Sequence, residues 1–140
     1  MSENCKKYYR NRKRKALENN TCYCGRGPRV SEIYCRICLL KKTSRACFGT
    51  DKRWAELDAL LHKQRHRCAY SGRQIDIGKR ASIEHIHPTS RSKNRRTSIE
   101  NVKWVHSDIN LMKSSMTLHE FMLACKEVLQ YFGYEVRKGD

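Results

Sequence analysis

Four cysteines in one short segment constrain the fold of this chain most strongly, because the segment around them has no apolar core of its own. They form two close pairs, Cys22-Tyr-Cys24-Gly and Cys35-Arg-Ile-Cys38. Zinc prefers four tetrahedral thiolate or imidazole ligands, which proteins usually supply from two short turns separated by a loop. Cys35 and Cys38 have the favoured two-residue gap, whereas Cys22 and Cys24 are closer and require a sharp turn. The spacing therefore predicts one structural zinc ion with no catalytic role.

The other four of the eight cysteines have different expected roles. Cys47 or Cys5 could replace Cys22 as the fourth zinc ligand. Cys125 lies on the apolar stripe of the last helix and is expected to be a small core residue. Cys68 has no cysteine partner three residues later and stays unassigned. Because the N-terminal segment is polar and basic and shows no signal peptide, we expect a reducing, cytoplasmic location where cysteines bind metal in preference to forming disulfides.

The charge of the chain favours nucleic acid as a partner. With 30 Lys and Arg against 14 Asp and Glu among 140 residues, its formal net charge is +16. So large a positive charge on so small a protein is typical of polyanion binding, although it can also serve solubility alone. A membrane-surface helix would place Leu, Trp or Phe opposite its basic face, and residues 6–15 offer only Tyr8 and Tyr9. The longest apolar run, residues 121–125, is too short to span a membrane.

Two basic segments are expected to contact DNA phosphates. Residues 1–19 are interpreted as a basic arm, either one that becomes helical only on a phosphate backbone or a solvated, disordered tail. Residues 88–98 are interpreted as an exposed loop that joins two strands. The residues expected to contact DNA are Arg10, Arg12, Lys13 and Arg14 in the arm and Arg91, Lys93, Arg95 and Arg96 in the loop.

Hydrophobic periodicity predicts the elements between these segments. Residues 51–66 are predicted to form a helix that has Thr50 or Asp51 as its N-cap. Residues 81–87 and 99–106 are strand-length runs, and residues 108–114 fit a short helix. The apolar stripe of the first helix is Trp54, Leu57, Leu60 and Leu61. Both Trp54 and Trp104 are expected to be core residues.

A last helix is predicted to begin at the capping-box sequence Thr117-Leu-His-Glu120. Gly133 is expected to end it. The side chains expected to be buried along this helix are Phe121, Cys125, Val128, Leu129 and Phe132.

Three further motifs follow one another in the second half of the chain: Ile83-Glu-His-Ile-His-Pro88, then Asn101, then Asn110-Leu-Met-Lys113. In this order they resemble the HNH family of nucleases, whose core is two strands and a helix around one metal ion, the ββα-metal fold. The resemblance covers residues 68–115. It implies an HNH nuclease core, and together with the segments described above it predicts an α+β protein made of a basic arm (1–19), a four-cysteine zinc module (20–48), an HNH nuclease core (49–116) and a C-terminal helix packed on the core (117–140).

The residues of these motifs suit phosphodiester hydrolysis. The reaction needs a base that deprotonates water and a cation that neutralises charge on the phosphate and the leaving oxygen. Imidazole titrates near neutral pH, so His85 is the candidate base. Glu84 and Asn110 offer hard oxygen ligands of the kind that Mg²⁺ or Mn²⁺ prefers. Neighbouring strand residues point to opposite faces, so a turn or twist must bring Glu84 and His85 to one phosphate. The resemblance implies the same roles, and also that Asn101 braces the turn through the backbone and that Lys113 contacts a phosphate.

The sequence departs from the family pattern in a few places. His106 and Ile109 stand where many members carry the cysteines of a second zinc site, and Ser71 also replaces a cysteine. We therefore expect that second zinc site to be absent. Glu84 stands where Asp is more usual, and either carboxylate can bind a metal ion. His87 could approach the metal ion or DNA, or could simply face solvent.

Taken together, these features predict a metal-dependent DNA endonuclease with Mg²⁺ or Mn²⁺ at its active site, one structural zinc ion and double-stranded DNA as its partner. The resemblance to the family implies products with 5′-phosphate and 3′-hydroxyl ends. One active site cuts one strand, so a monomer would nick and a symmetric homodimer would cut both strands. Small stand-alone proteins of this kind often belong to phages, mobile elements or restriction systems.

Two alternatives remain open at this stage. One is a non-catalytic zinc-containing protein that binds DNA or RNA, and the other is an RNA-binding zinc protein associated with ribosomes. The trio Glu84, His85 and Asn110 favours the nuclease, because binding alone does not need it.

Overall fold

The computed structural model describes residues 3–24, 26–31, 34–87 and 98–137, without the side chains of Asn4, Cys5 and Tyr9. Most of the predicted basic loop, including Arg91, Lys93, Arg95 and Arg96, lies outside these residues, and so does the side chain of the alternative zinc ligand Cys5. The elements are α1 (Glu3–Glu18), α2 (Arg36–Phe48), α3 (Trp54–Lys63), β1 (Ala81–His85), β2 (Val102–His106), α4 (Ser107–Lys113) and α5 (Leu118–Tyr131). In the described ranges, every helix is too short or too polar to cross a membrane.

The two strands form an antiparallel hairpin that is followed directly by a helix. Ala81 lies opposite His106, and His85 lies opposite Val102. α4 begins immediately after β2 and packs back against both strands. The α+β fold with two strands and a helix is therefore confirmed. The strands are shorter than predicted, because residues 99–101 form a turn of 3-10 helix before β2.

The core lies between the hairpin and the helices α2 and α3. Leu57 and Leu61 of α3 are fully buried, and the indole of Trp104 donates a 2.8 Å hydrogen bond to the Leu57 carbonyl oxygen. Burying a leucine side chain contributes about 1.5–3 kcal/mol, so this stripe is a main source of stability. The predicted stripe of α3 is confirmed, but its start is wrong. The N-cap is Arg53, and Asp51 lies before the helix, where it forms an ion pair with Arg45 of the helix that ends at Phe48.

Helix α2 was not predicted. It begins at Arg36, inside the second cysteine pair, and ends at Gly49, which has a φ of +75°. Leu40, Cys47 and Phe48 on this helix are buried in the core. The helix thus links the four-cysteine segment to the hairpin.

The N-terminal segment differs from the prediction. Residues 3–18 form a continuous helix in the protein by itself, so neither the disordered tail nor the arm that needs a phosphate backbone is correct. Ala16 is buried, and the guanidinium of Arg12 lies 5.4 Å from the centre of the Tyr23 ring. Arg12 also donates a 3.3 Å hydrogen bond to the Cys24 carbonyl oxygen. These contacts dock α1 on the four-cysteine segment.

Helix α5 begins and ends where the sequence indicates but is not packed as expected. The capping box between Thr117 and Glu120 is present, and Gly133 follows with a φ of +81°. Of the expected buried stripe, only Phe121 is buried, whereas Val128 is 57% exposed and Phe132 is 70% exposed. The prediction of a buried stripe is therefore wrong for most of the helix, including Cys125, which is only half-buried.

A close backbone contact joins the four-cysteine segment to the nuclease half of the chain. Gly78 has a φ of +83°, and a Cβ atom built there would lie 2.1 Å from the carbonyl oxygen of Val30. Only glycine combines this backbone conformation with so close an approach.

Candidate active site

Three of the motif side chains meet between β1 and α4. The amide Nδ2 of Asn110 donates hydrogen bonds of 2.7 Å to Ser82 Oγ and 3.1 Å to the Ile83 carbonyl oxygen. Lys113 Nζ lies 2.5 Å from Glu84 Oε1. Because Asn110 and Lys113 are three residues apart on one helix, both face the strand. Ser82 lies on the same strand face as Glu84, and the two-residue period of a strand could have identified it.

Burial dominates the electrostatics of this face. Lys113 is fully buried and Glu84 is 5% exposed. Burial raises the pKa of the Glu84 carboxyl, and the hydrogen bond and positive charge of Lys113 oppose part of that rise. Burial, followed by the charge of Glu84, also raises the pKa of Tyr70 to about 12. Among the described side chains, the Tyr70 hydroxyl is buried without a hydrogen-bond partner, and no sequence pattern indicates this position.

Asn101 holds the chain immediately after β1. Its Oδ1 accepts a 2.9 Å hydrogen bond from the His87 backbone N–H, and its Nδ2 donates a 3.2 Å bond to the His87 carbonyl oxygen. The Ile86 N–H also donates to the Asn101 carbonyl oxygen at 2.8 Å. Since Asn101 is buried, these bonds fix the position of the backbone that follows His85. The side chain of His87 is exposed.

His85 lies on the other face of the hairpin. Its Nε2 atom is 3.5 Å from Cys47 Sγ on α2, in the core side of the sheet. The structure therefore brings Glu84, Asn110 and Lys113 together but places the imidazole of His85 apart from them, as strand alternation requires. A cavity of about 360 Å³ opens at the end of the hairpin, lined by Ile86, His87, Ser98, Glu100 and Asn101.

The residues on the α4 face fit a hard divalent cation. Glu84 would supply the carboxylate oxygen that is not bonded to Lys113, and Asn110 would supply an amide oxygen, since its nitrogen is already bonded to the strand. The buried Tyr70 hydroxyl has no hydrogen-bond partner and lies near the Glu84 carboxylate. Such a hydroxyl is typical of a place where a ligand or an ordered water molecule supplies the missing hydrogen bond.

Comparison with known families agrees with this geometry. Residues 68–119 match the family model described as HNH endonuclease. The chain carries an HNH domain. A search of curated proteins finds no significant match to the chain. The HNH domain contains both strands, α4 and every motif residue described above, whereas the first three helices precede it.

Within the HNH domain, Cys68 and His106 lie in the segments where many family members bind a second zinc ion, and both form hydrogen bonds within the protein. Cys68 is buried, and although burial raises its pKa, hydrogen bonds from Ser71 and the His106 backbone outweigh this and leave the pKa below its usual value. His106 Nδ1 accepts a 3.3 Å bond from the Asp108 N–H and so caps α4.

The four predicted zinc ligands lie outside the HNH domain and meet at one point. The sulfur atoms of Cys22, Cys24, Cys35 and Cys38 all lie within 4.8 Å of one another, and the Cys24 and Cys35 sulfurs are 3.8 Å apart. In the part of the chain that the structure describes, this is the one such group of metal-binding side chains. Cys47 is not among them, because it lies against His85. The alternative of Cys47 as a zinc ligand is therefore wrong.

The cysteine cluster has the chemistry of a structural zinc site. The Cys24 N–H donates to Cys22 Sγ at 3.4 Å, and the Arg26 N–H donates to Cys24 Sγ at 3.4 Å. Burial raises the pKa of Cys22, but hydrogen bonds from Cys24 and Cys35 outweigh it and bring the pKa to about 7. Burial is also the main cause of the raised pKa values of Cys35 and Cys38. Four converging sulfurs with N–H donors are compatible with zinc, which binds thiolates.

The predicted DNA-contacting residues of the N-terminal segment lie on α1. Arg10, Lys13 and Arg14 are exposed, and Arg10 and Arg14 each lie 3.7 Å from a glutamate of the same helix. The guanidinium of Arg12 packs over the Tyr23 ring, as described above.

Proposed function

We propose that this chain is a metal-dependent endonuclease that hydrolyses phosphodiester bonds of double-stranded DNA. The observation that supports it best is the arrangement at the hairpin of the HNH domain. Asn101 holds the chain directly after His85, the buried side chain of Glu84 meets Lys113 on α4, and Asn110 on the same helix bonds the Ile83 backbone beside it. Membership of a nuclease family and the net charge of +16 fit the same substrate.

In the proposed mechanism, His85 accepts a proton from the water that attacks phosphorus. The bond from phosphorus to the 3′-oxygen then breaks, and this oxygen takes up a proton from solvent water, which leaves a 3′-hydroxyl and a 5′-phosphate end. Because His85 is the last residue of β1 and Asn101 holds the next residues, the base is carried by a fixed backbone. The imidazole of His85 lies on the face of the hairpin opposite to Glu84. We therefore propose that the phosphate binds at the end of the hairpin, where it can contact groups from both faces.

Glu84 and Asn110 would hold Mg²⁺ or Mn²⁺. When bound, the ion supplies positive charge that neutralises the phosphate and the leaving oxygen. Lys113 is fully buried against Glu84, so we propose that it positions this carboxylate instead of contacting a phosphate as the family resemblance implied. The four-cysteine cluster would hold one structural zinc ion.

Cleavage of a supercoiled plasmid tests the proposal. We expect nicking by the full chain with added Mg²⁺ or Mn²⁺ and none without it. His85→Ala should lower the cleavage rate by about 10²–10⁴-fold with little change in DNA affinity, because a general base acts in the transition state. His62→Ala is the matched control, since His62 is an exposed histidine on α3 and its loss should leave the rate unchanged.

The same assay separates the alternatives. A chain that binds DNA tightly but never cleaves it with any divalent cation would be a non-catalytic binding protein. Preference for structured RNA over duplex DNA, without cleavage, would favour the ribosome-associated protein. Cleavage by His85→Ala at the rate of the unmodified chain would remove His85 from the mechanism.

A further inference from the structure

The large exposed apolar side chains of this protein are concentrated at its C-terminal end. Of the thirteen found in the described ranges, ten lie between residues 111 and 136. Contiguous apolar surface of this kind marks an interaction site in a protein with an otherwise polar surface. The ten are Leu111, Met112, Met122, Leu123, Val128, Leu129, Tyr131, Phe132, Tyr134 and Val136.

These side chains surround α5, which is attached to the rest of the protein mainly through its first turn. Phe121 is its one buried residue, and Tyr131 in its last turn is 86% exposed. An apolar groove of about 470 Å³ runs between α4 and α5, with Met112 and Met116 on one side and Cys125 and Val128 on the other. A helix whose apolar stripe is left uncovered in this way needs a partner.

We propose that a second copy of this chain covers the apolar face, with α5 of each copy packed against α5 of the other about a two-fold axis. The apolar positions are spaced as in a heptad repeat, at Leu118, Phe121, Cys125, Val128 and Phe132. The outer positions, Leu118 and Phe132, are symmetric about Cys125, and the inner ones, Phe121 and Val128, are offset by one residue. In an antiparallel pair with Cys125 opposite its equivalent, Leu118 would lie opposite Phe132, and the exposed Leu129 would pack over the buried Phe121 of the other copy, so the surface complements itself as a two-fold interface requires.

Charge favours the same face. Two copies that each carry +16 repel one another. Helix α5 carries two acidic residues, Glu120 and Glu127, against the single basic residue Lys126, so association through it avoids the basic surface of α1. The absence of a basic cluster along α5 itself also disfavours nucleic acid as the occupant.

The exposed area is sufficient for a dimer. Three of the ten exposed side chains are aromatic and can bury about 150–250 Å² each, and seven aliphatic side chains, each at least 41% exposed, add to this area. A standard stable interface buries about 800 Å² on each partner. The inference stands independently of the proposed nuclease activity; if both hold, the dimer carries two active sites, one for each DNA strand.

Sedimentation of the full chain over a range of micromolar concentrations tests the dimer. We expect a concentration-dependent shift from 16.5 kDa to twice that mass in a buffer whose salt screens the net charge. Val128→Glu places a charge on the apolar stripe and should raise the dissociation constant more than tenfold. Because Val128 is 57% exposed, the variant should fold, which circular dichroism verifies. Gln130→Glu, on the polar side of α5, adds the same charge and should leave the dimer intact.

Cross-linking supplies a second measurement that does not depend on the stability of a variant. A short bis-maleimide should join two chains through Cys125, and Cys125→Ser should abolish the cross-linked dimer, whereas Cys47→Ser should not. A monomeric mass at every concentration, or a dimer that survives Val128→Glu, would overturn the inference. Neither result would bear on plasmid cleavage, which is measured separately.

Discussion

Replacing Lys113 by methionine removes one partner of the buried ion pair at the centre of the HNH domain. Methionine keeps most of the length of the side chain and loses only the charged group. Lys113 Nζ lies 2.5 Å from Glu84 Oε1, and the two side chains are 0% and 7% exposed. The substitution therefore leaves a carboxylate in a buried site with no positive charge beside it.

The expected loss of stability is large. At an effective dielectric constant of about 20, two unit charges 2.5 Å apart attract one another by about 7 kcal/mol before the cost of desolvation is subtracted. Removing one partner of a buried pair typically costs about 3–5 kcal/mol, because the remaining charge stays desolvated. Since domains of this size are stable by about 5–15 kcal/mol, Lys113→Met should lose a large part of its free energy of unfolding.

The loss should depend on pH in a defined direction. The folded-state pKa of Glu84 is already raised above its ordinary value of 4.5 by burial, and without Lys113 it rises further. Between the unfolded and folded pKa values, the folded variant retains a proton that the unfolded chain has released. Its free energy of unfolding must therefore fall as pH rises through that range. The difference between variant and wild type should be smallest on the acid side of the ordinary carboxyl pKa.

Urea unfolding measures these effects in a magnesium-free buffer without a chelator, so that the proposed zinc ion of the cysteine cluster would be retained. Glu84→Gln and the double variant complete a mutant cycle, and the double variant should recover part of the loss. Lys52→Met, at an exposed lysine, is the control and should change stability by less than about 0.5 kcal/mol. A Lys113→Met protein as stable as wild type at neutral pH would refute the reasoning.

Three shorter predictions follow from the same structure. Metal analysis should find about one tightly bound zinc per chain, lost when Cys38 is replaced by serine; two zinc ions would mean that Cys68 or His106 also binds metal. Replacing Arg10 and Arg14 by glutamine should make the slope of log DNA affinity against log salt shallower by up to about 0.9 per lost phosphate contact. Replacing both by lysine is the control and should keep the slope. An unchanged slope in the glutamine protein would show that these two residues of α1 do not contact DNA. Asn101→Ala removes two hydrogen bonds to the His87 backbone and should destabilise the chain by about 1–3 kcal/mol; it should also slow cleavage more than it weakens binding, as plasmid nicking and a filter-binding assay would measure.

The sequence predicted best the elements that carry a local signal. The stripe of α3, the capping box at Thr117 and the glycine after α5 are encoded by neighbouring residues, and they appear where expected. The convergence of the four cysteines was also predictable, because metal ligands must share one point. Strand alternation correctly indicated that Glu84 and His85 face opposite sides of β1.

Other features depend on contacts between distant parts of the chain. His85 meets Cys47 across 38 positions of sequence, and no local pattern indicates that pairing. Helix α2 escaped prediction because its polar central turn interrupts the apolar period, and packing against α3 stabilises it. The apolar period of α5 correctly predicted an amphipathic helix, but a period does not reveal whether its stripe packs on the core or remains exposed.

The contact between Gly78 and Val30 has a consequence for engineering. A side chain at position 78 would collide with the Val30 carbonyl oxygen, so the backbone of the cysteine module and that of the HNH domain are fitted to one another at this point. The cysteine module therefore cannot be transferred to another protein independently of this contact. A chimera that transfers the module to another nuclease would need a glycine at the position equivalent to Gly78. Any other residue there would clash with the Val30 carbonyl oxygen.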